Sequence, residues 1–246
     1  MLSIFKKKRT GNVDLGDLVT DMHSHLLPGI DDGSKDLATS LDLIKGMREL
    51  GYRQFITTPH IMWDMYRNDE STIKPAHQQV QKALYASPSP VPIKAAAEYF
   101  LDDHFDSLLE NKVPLLTIKD KWVLVEFSFV SPPMNLKDKL FNLQINGYQP
   151  ILAHPERYMY FSGDKESYDD LKTAGCLFQV NLLSLAGYYG KGPYELAHYL
   201  IKKKYVDLLG TDLHHDRHLE ALRSTYEIMD PVKALLDSGM ILNATL

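Results

Sequence analysis

The 246-residue sequence predicts an α/β protein folded as a seven-stranded (β/α) barrel. Seven short apolar runs recur along the chain, and segments with helical periodicity lie between them. This alternation of strands and helices across the whole chain predicts a parallel sheet. The runs are also evenly spaced, which favours closure into a barrel over an open sheet.

The predicted elements follow one another in chain order. The apolar runs predict strands at residues 18–22, 55–57, 93–97, 122–125, 151–153, 176–180 and 206–209. Helical periodicity predicts helices at residues 37–50, 71–86, 136–146, 194–203 and 219–228. The first helix places Leu37, Leu41, Ile44 and Met47 on one face and ends at Gly51.

The composition indicates a globular protein. Hydrophobic residues make up 44% of the chain, enough to bury a sizeable core, and nothing indicates disorder, collagen or a coiled coil. Lys and Arg number 27 against 32 Asp and Glu, so no overall positive field attracts nucleic acid, and we expect no nucleic-acid partner. The single cysteine, Cys176, cannot form an intrachain disulfide; this fits a reducing compartment, and we expect a cytoplasmic protein.

The first 17 residues differ from the rest of the chain. Three lysines and an arginine at residues 6–9 follow a short apolar tip, so residues 1–17 are predicted to be a basic N-terminal tail. The apolar stretch is too short for a signal peptide or a membrane span, and we expect no stable membrane insertion. A frayed, solubilising terminus is the favoured interpretation, and contact with an anionic membrane surface is the alternative. Residues 18–246 are predicted to form a single barrel domain.

Carboxylate and imidazole side chains follow the predicted strands, at the ends where a parallel barrel carries its chemistry. His23 and His25 lie two residues apart, so on an extended strand end both imidazoles point to the same side and can reach one cation. Asp212 and His214 repeat this spacing. The complete set of candidate metal ligands is His23, His25, Asp32, His60, Glu98, Glu126, His154, Asp212 and His214.

Each of these residues alone is a weak signal, because a single histidine beside a strand is more often a hydrogen-bonded loop residue than a ligand. Together they are predicted to converge on one rim, where their four carboxylates would repel one another without cations. Two divalent ions would bring the charge of the cluster from −4 to 0 and three to +2, which suits a phosphate dianion. Imidazole and carboxylate ligands suit Mn²⁺, Fe²⁺ or Zn²⁺, and the lack of cysteine among them excludes a structural zinc finger.

Seven short motifs occur in order from about residue 21 onward. They are His23-Ser24-His25, Pro28-Gly29-Ile30-Asp31-Asp32-Gly33, Thr57-Thr58-Pro59-His60, Ala97-Glu98, Val125-Glu126-Phe127, Ala153-His154-Pro155-Glu156-Arg157 and Thr211-Asp212-Leu213-His214. Together they resemble the motifs of the polymerase and histidinol phosphatase (PHP) superfamily. The resemblance is closest to the metal-dependent protein tyrosine phosphatases of bacterial capsule and exopolysaccharide systems.

The resemblance implies a distorted (β/α)7 TIM-like barrel of PHP type, with a trinuclear metal site often filled with manganese. It assigns all nine candidate residues as metal ligands, and the spacing from His25 favours Asp32 over Asp31. It also implies two phosphate-binding arginines with catalytic roles, which match Arg157 and Arg217. The implied activity is hydrolysis of phosphotyrosine on a bacterial tyrosine kinase that controls capsule and exopolysaccharide synthesis.

The expected cofactor is therefore two or three divalent metal ions, with Mn²⁺ favoured over Fe²⁺ and Zn²⁺. We expect direct hydrolysis without a covalent intermediate, in which the cations and Arg157 neutralise charge on the phosphoryl oxygens. No general acid is assigned. A cysteine-dependent tyrosine phosphatase needs an arginine six positions after its nucleophile, but Leu182 stands there relative to Cys176, so this class is excluded.

Two alternatives stay open. Another PHP phosphomonoesterase, such as a histidinol phosphatase, would share the ligands and differ only in the walls of its pocket. A non-catalytic metal-binding module would bind its partner without metal-dependent hydrolysis. Recognition of a tyrosine ring calls for aromatic walls near the strand ends, and the candidates are Trp63, Tyr66, Phe129, Tyr158, Tyr160, Tyr188 and Tyr189.

Overall fold

A computed structural model describes residues 11–246 as an α/β fold. Nine short strands occur in this part of the chain, and every pairing between them is parallel. They are β1 (Thr20–Asp21), β2 (Gln54–Thr57), β3 (His60–Ile61), β4 (Ile93–Ala95), β5 (Glu98–Phe100), β6 (Trp122–Glu126), β7 (Gln149–Ala153), β8 (Leu177–Asn181) and β9 (Leu208–Gly210). The first sheet has the order β1-β2-β4, and the second has the order β3-β5-β6-β7-β8-β9.

The two sheets together provide seven strand positions around a distorted barrel. β2 leads into β3, and β4 into β5, so each pair occupies one position. The first and last strands meet at an isolated parallel bridge between Ser24 and Leu213, where the His25 N–H donates to the Leu213 carbonyl oxygen at 2.9 Å. Among the described residues, no continuous ladder joins β1 to β9. The predicted α/β class and distorted barrel are confirmed.

The strand predicted at residues 93–97 ends earlier, at Ala95, and the second and third strand positions are each divided into two short strands. Pro59 separates β2 from β3 and, having no backbone N–H, cannot continue the ladder. The Thr58 N–H instead donates to the Ser24 carbonyl oxygen at 2.8 Å. The neighbouring strand breaks at the same level, between β4 and β5. As a result, His60 and Glu98 begin new strands in the second sheet and pair with each other in register.

Eight helices pack around the strands in the described chain. They are α1 (Leu37–Glu49), α2 (Glu70–Tyr85), α3 (Asp103–Glu110), α4 (Leu136–Ile145), α5 (Glu166–Thr173), α6 (Lys191–Lys203), α7 (Asp216–Ser224) and α8 (Met229–Asp237). The five predicted helices are confirmed with shifts of a few residues at their ends. The other three, α3, α5 and α8, are not among the predicted helices and span eight or nine residues each.

Apolar side chains fill the barrel beneath the carboxyl ends of the strands. One buried cluster takes side chains from strands around the ring, including Met22, Ile56, Ala96, Leu124, Ile151 and Leu208. Because side chains alternate along a strand, Glu98 and Glu126, two residues after Ala96 and Leu124, point to the same side. This cluster is therefore the floor on which the candidate site rests. A larger cluster packs the helices against the outside of the strands.

The N-terminal part of the described chain is folded. Val13 and Leu15 are buried in the core, so the packed structure begins before residue 18, where the barrel domain was expected to start. The basic residues 6–9, and with them the predicted membrane contact, lie outside the described residues. Within residues 11–246, no helix combines the length and the apolar character that a membrane crossing requires.

Cys176 provides a test of the excluded cysteine-dependent class. Its side chain is 1% exposed, and burial raises the pKa of the thiol to about 12. At pH 8 the thiol is therefore protonated, and we expect an aromatic disulfide reagent to label native protein far more slowly than protein unfolded in guanidinium. Absorbance of the released thiolate measures both rates. Equal rates would reveal a reactive thiol and restore the cysteine nucleophile as a hypothesis.

Candidate metal centre

The structure brings all nine predicted ligands together at the carboxyl ends of the strands. They form four overlapping groups, and within each group one ligand atom per residue lies within 4.8 Å of the others. The groups are His23, His25 and Asp212; His23, Glu98 and His154; His60, Glu98 and Glu126; and His25, Asp32, His60 and His214. These groups share members, so the nine side chains form one continuous cluster. Within residues 11–246, no other group of this kind occurs.

Two of these residues stand in strained backbone at the strand ends. His154 follows β7 with φ of 35°, and Asp212 follows β9 with φ of 51°. Both values lie in the left-handed region, which is uncommon for non-glycine residues. The turn at each position redirects the chain so that these two side chains join the cluster.

Glu98 lies at the centre of the cluster and is fully buried. Its Oε2 atom is 3.2 Å from His23 Nε2, 3.4 Å from His25 Nε2 and 3.2 Å from His60 Nδ1. Its Oε1 atom is 3.1 Å from His154 Nε2. Burial opposes ionisation, but His23 and His60 outweigh it and hold the pKa of Glu98 well below its usual range. Glu98 is therefore a carboxylate shared by four imidazoles.

Several buried ligand atoms have no hydrogen-bond partner, which is the observation that tests for a metal. Buried polar atoms in proteins are nearly always paired. Here six unpaired atoms face the cluster, namely His23 Nε2, His25 Nε2, His60 Nδ1, Glu98 Oε1, Glu98 Oε2 and Glu126 Oε1. Imidazole nitrogens and carboxylate oxygens are ligands for Mn²⁺, Fe²⁺ and Zn²⁺. The residues present therefore fit a group of divalent cations.

The charges of the cluster also call for cations. Burial and the neighbouring Glu98 raise the pKa of Glu126. Burial opposes protonation of His60, but the Glu126 and Glu98 carboxylates outweigh it and raise the pKa of His60 to about 9. In the absence of metal, protons on imidazoles therefore balance part of the carboxylate charge.

The geometry distinguishes Asp31 from Asp32. Asp32 Oδ1 faces the cluster, at 3.5 Å from His60 Nε2 and 3.6 Å from His214 Nε2. Asp31 Oδ2 instead lies 2.8 Å from His25 Nδ1, on the side of the imidazole away from Glu98. Burial opposes ionisation of Asp31, but His25 outweighs it and lowers the pKa of Asp31 to about 2. Asp32 thus has the position of a ligand, and Asp31 orients His25.

Gly33 makes this turn possible. A Cβ at Gly33 would lie 2.3 Å from the His25 carbonyl oxygen, so a larger residue would push the backbone away from His25. The Gly33 N–H also donates to Asp31 Oδ1 at 3.0 Å.

A chain of hydrogen bonds from β8 orients two further ligands. Gln179 Oε1 lies 2.7 Å from His23 Nδ1, and Gln179 Nε2 donates to Asn181 Oδ1 at 2.9 Å. Asn181 Nδ2 then donates to Asp212 Oδ2 at 2.8 Å. Neither Gln179 nor Asn181 is among the residues that the sequence predicts for the site. The signal was available, because two amides at alternate positions interrupt an otherwise apolar strand.

A cavity of about 250 Å³ opens over the cluster. Arg157 lines it and donates from Nη1 to Asp212 Oδ2 at 2.9 Å. The guanidinium carbon lies 4.7 Å from the Phe129 ring centroid and 4.3 Å from that of Tyr189. Of the seven aromatic candidates, Phe129 and Tyr189 line this cavity, whereas Trp63 stacks on His104 with centroids 3.8 Å apart.

The structure does not bring Arg217 to the cavity. Arg217 is exposed in the first turn of α7, and the side chains of His215 and His218 line the cavity from the same turn. Burial, with His215 adding, lowers the pKa of His218 to about 4. The expected second arginine of the phosphate site is therefore absent from the cavity wall, and two histidines that the sequence analysis did not assign take part in it.

Comparisons with known proteins identify the family of this chain. Residues 19–230 match the family model for capsular polysaccharide synthesis, CpsB/CapC. The tyrosine-protein phosphatase YwqE of Bacillus subtilis (strain 168) is 29% identical over 196 residues, which are 79% of this chain and 77% of YwqE. The tyrosine-protein phosphatase CpsB of Streptococcus pneumoniae is 26% identical over 216 residues, which are 85% of this chain and 88% of CpsB.

A solved structure also resembles the fold as a whole. It comes from the crystal structures of YwqE from Bacillus subtilis and CpsB from Streptococcus pneumoniae, described as unique metal-dependent tyrosine phosphatases. The TM-score is 0.78 at 27% identity, and the match covers 87% of this chain and 86% of the other.

Substitution of the two adjacent aspartates separates their roles. We expect Asp32→Asn to lower the number of Mn²⁺ ions bound per chain, because it removes a charged ligand atom from the cluster. We expect Asp31→Asn to keep that number but to weaken binding roughly 10- to 100-fold, as loss of an orienting partner does. Metal analysis after dialysis and calorimetric titration measure the two quantities. A full ion lost from Asp31→Asn and none from Asp32→Asn would reverse the assignment.

Proposed function

Because the chain belongs to the CpsB/CapC family of capsular polysaccharide synthesis, we propose that it is a metal-dependent phosphatase that hydrolyses phosphotyrosine on a protein. The observation that carries the proposal is the cavity in which six members of the nine-residue cluster and the Arg157 guanidinium line the same wall. A cationic site beside a guanidinium binds a phosphate dianion. Relatives that bear the name tyrosine-protein phosphatase support the choice of substrate class.

The nine clustered side chains would hold two or three divalent ions, and we propose Mn²⁺, with Fe²⁺ and Zn²⁺ as alternatives. The four overlapping groups and the charge of −4 on their carboxylates support more than one ion. When bound, such ions neutralise phosphoryl charge and supply an activated water.

Arg157 is the side chain proposed to bind a phosphoryl oxygen and to stabilise the charge that develops there. Its salt bridge to Asp212 and the flanking rings of Phe129 and Tyr189 hold the guanidinium in place before substrate arrives. Such preorganisation lowers the entropy lost on binding. Phe129 is 48% exposed at the cavity mouth, so it offers apolar surface beside which a tyrosyl ring can pack.

We propose a bacterial tyrosine kinase of the capsule and exopolysaccharide system as the phosphotyrosyl partner, with residues 18–246 acting as one catalytic domain. A cytoplasmic location is part of the proposal, since the single thiol fits a reducing compartment. The family description, capsular polysaccharide synthesis, supports this system.

Phosphate release tests the proposal. We expect release from a phosphotyrosyl peptide with added Mn²⁺, little release from histidinol phosphate, and none after chelation. His154→Ala removes a ligand and Arg157→Ala a phosphate contact, and loss of one such contact costs roughly 100- to 1,000-fold in kcat. His77→Ala is the matched control, because this histidine bonds the Ile93 carbonyl oxygen outside the cluster.

Other outcomes would identify the alternatives. Faster turnover of histidinol phosphate than of the peptide would keep the cluster and replace the substrate. Metal binding without release from either compound would indicate a non-catalytic metal-binding module.

A further inference from the structure

His215 and His218 line the cavity but belong to none of the four metal-binding groups. His215 is the N-cap of α7, and His218 lies in its first turn. Residues three apart share a helix face, so both rings meet the cavity, while Arg217 projects from a different face into solvent. Their ring centroids are 4.0 Å apart. They form a pair of adjacent imidazoles that share the cavity with Arg157, and the His218 ring centroid is 5.8 Å from that of the candidate ligand His214.

Backbone hydrogen bonds determine which ring nitrogen carries the proton. The His218 N–H donates to His215 Nδ1 at 3.3 Å, and the His214 N–H donates to His218 Nδ1 at 3.4 Å. A nitrogen that accepts a hydrogen bond holds no proton, so in both neutral rings the proton lies on Nε2. Each histidine is thus held as an N–H donor rather than as an acceptor.

The surroundings of the pair favour an anion. Arg157 lines the same cavity, and the rings stand at the N-terminus of α7, where the helix dipole favours negative charge. A phosphate monoester presents three terminal oxygens, and a charged acceptor of this kind forms strong hydrogen bonds with N–H donors. A cation would meet only N–H donors on this wall.

We propose that His215 and His218 are substrate-binding residues that donate their Nε2–H groups to phosphoryl oxygens, together with Arg157. They occupy the role for which the sequence analysis selected Arg217. The inference rests on the proposed function in that it identifies the bound group as the phosphate of the substrate.

Binding of inorganic phosphate to Mn²⁺-loaded protein tests this without turnover. We expect His218→Ala and His215→Asn each to weaken phosphate binding roughly 10- to 100-fold by calorimetry, the range for a hydrogen bond to a charged group. Asparagine keeps the N-cap of α7 while removing the imidazole. His218→Gln, whose amide is also a donor, should recover part of the loss.

Two further variants make the comparison specific. Arg217→Ala tests the competing hypothesis that Arg217 binds the phosphate. The structure predicts only a small change in the dissociation constant of phosphate, because an exposed charge is screened by solvent and salt. His77→Ala controls for removal of a histidine elsewhere. Metal content is measured for each variant, because a lost ion would indicate that the histidine binds metal and would overturn the proposal.

The outcomes separate this inference from the proposed function. Weaker phosphate binding with full metal content supports the inference even if the wild-type protein fails to hydrolyse a phosphotyrosyl peptide. In that case the proposed function alone fails. Unchanged phosphate binding in both His218→Ala and His215→Asn, or a loss confined to Arg217→Ala, overturns the inference.

Discussion

The structure depends on burying the Glu98 carboxylate among imidazoles at the top of the barrel. An ionised carboxylate removed from water is costly unless opposite charge and hydrogen-bond donors surround it. Here the surrounding groups are the imidazoles of His23, His25, His60 and His154, which belong to three different strand positions. The strand ends must therefore converge on one point. Cations complete the balance, because the imidazoles alone leave several buried ligand atoms unpaired.

The distortion of the barrel follows from the same constraint. Pro59 interrupts the second strand, and the new pairing between β3 and β5 sets His60 opposite Glu98. If β2 and β4 continued without a break, neither His60 nor Glu98 would be the first residue of a strand in the second sheet. Left-handed backbone at His154 and Asp212 has a similar effect after β7 and β9, at the same rim. At these positions the departure from regular geometry turns a ligand inward.

A glycine that allows close approach and the amide side chains of β8 hold the ligands His23 and Asp212 in one orientation. A Cβ at Gly210 would lie 2.6 Å from Gln179 Nε2 and 2.9 Å from His23 Cβ, so glycine lets the amide reach the imidazole. Gln179 and Asn181 then connect His23 to Asp212, and Asp212 also anchors Arg157. One hydrogen-bond network therefore connects the metal-ligand cluster with Arg157, the residue proposed to bind the phosphate. A substitution in this network affects both the metal ligands and Arg157.

The sequence alone determined the α/β class, five helices and a set of nine residues that the structure gathers into one cluster. These features depend on local periodicity and on the rule that parallel strands end at one rim, and both can be read without coordinates. Only the tertiary structure separated Asp32 from Asp31, and only it placed Arg217 outside the cavity and His215 and His218 inside. Adjacent residues in a loop or a first helical turn point in different directions. Which of them faces the site depends on the path of the loop and the rotation of the helix, and packing against the rest of the chain sets both.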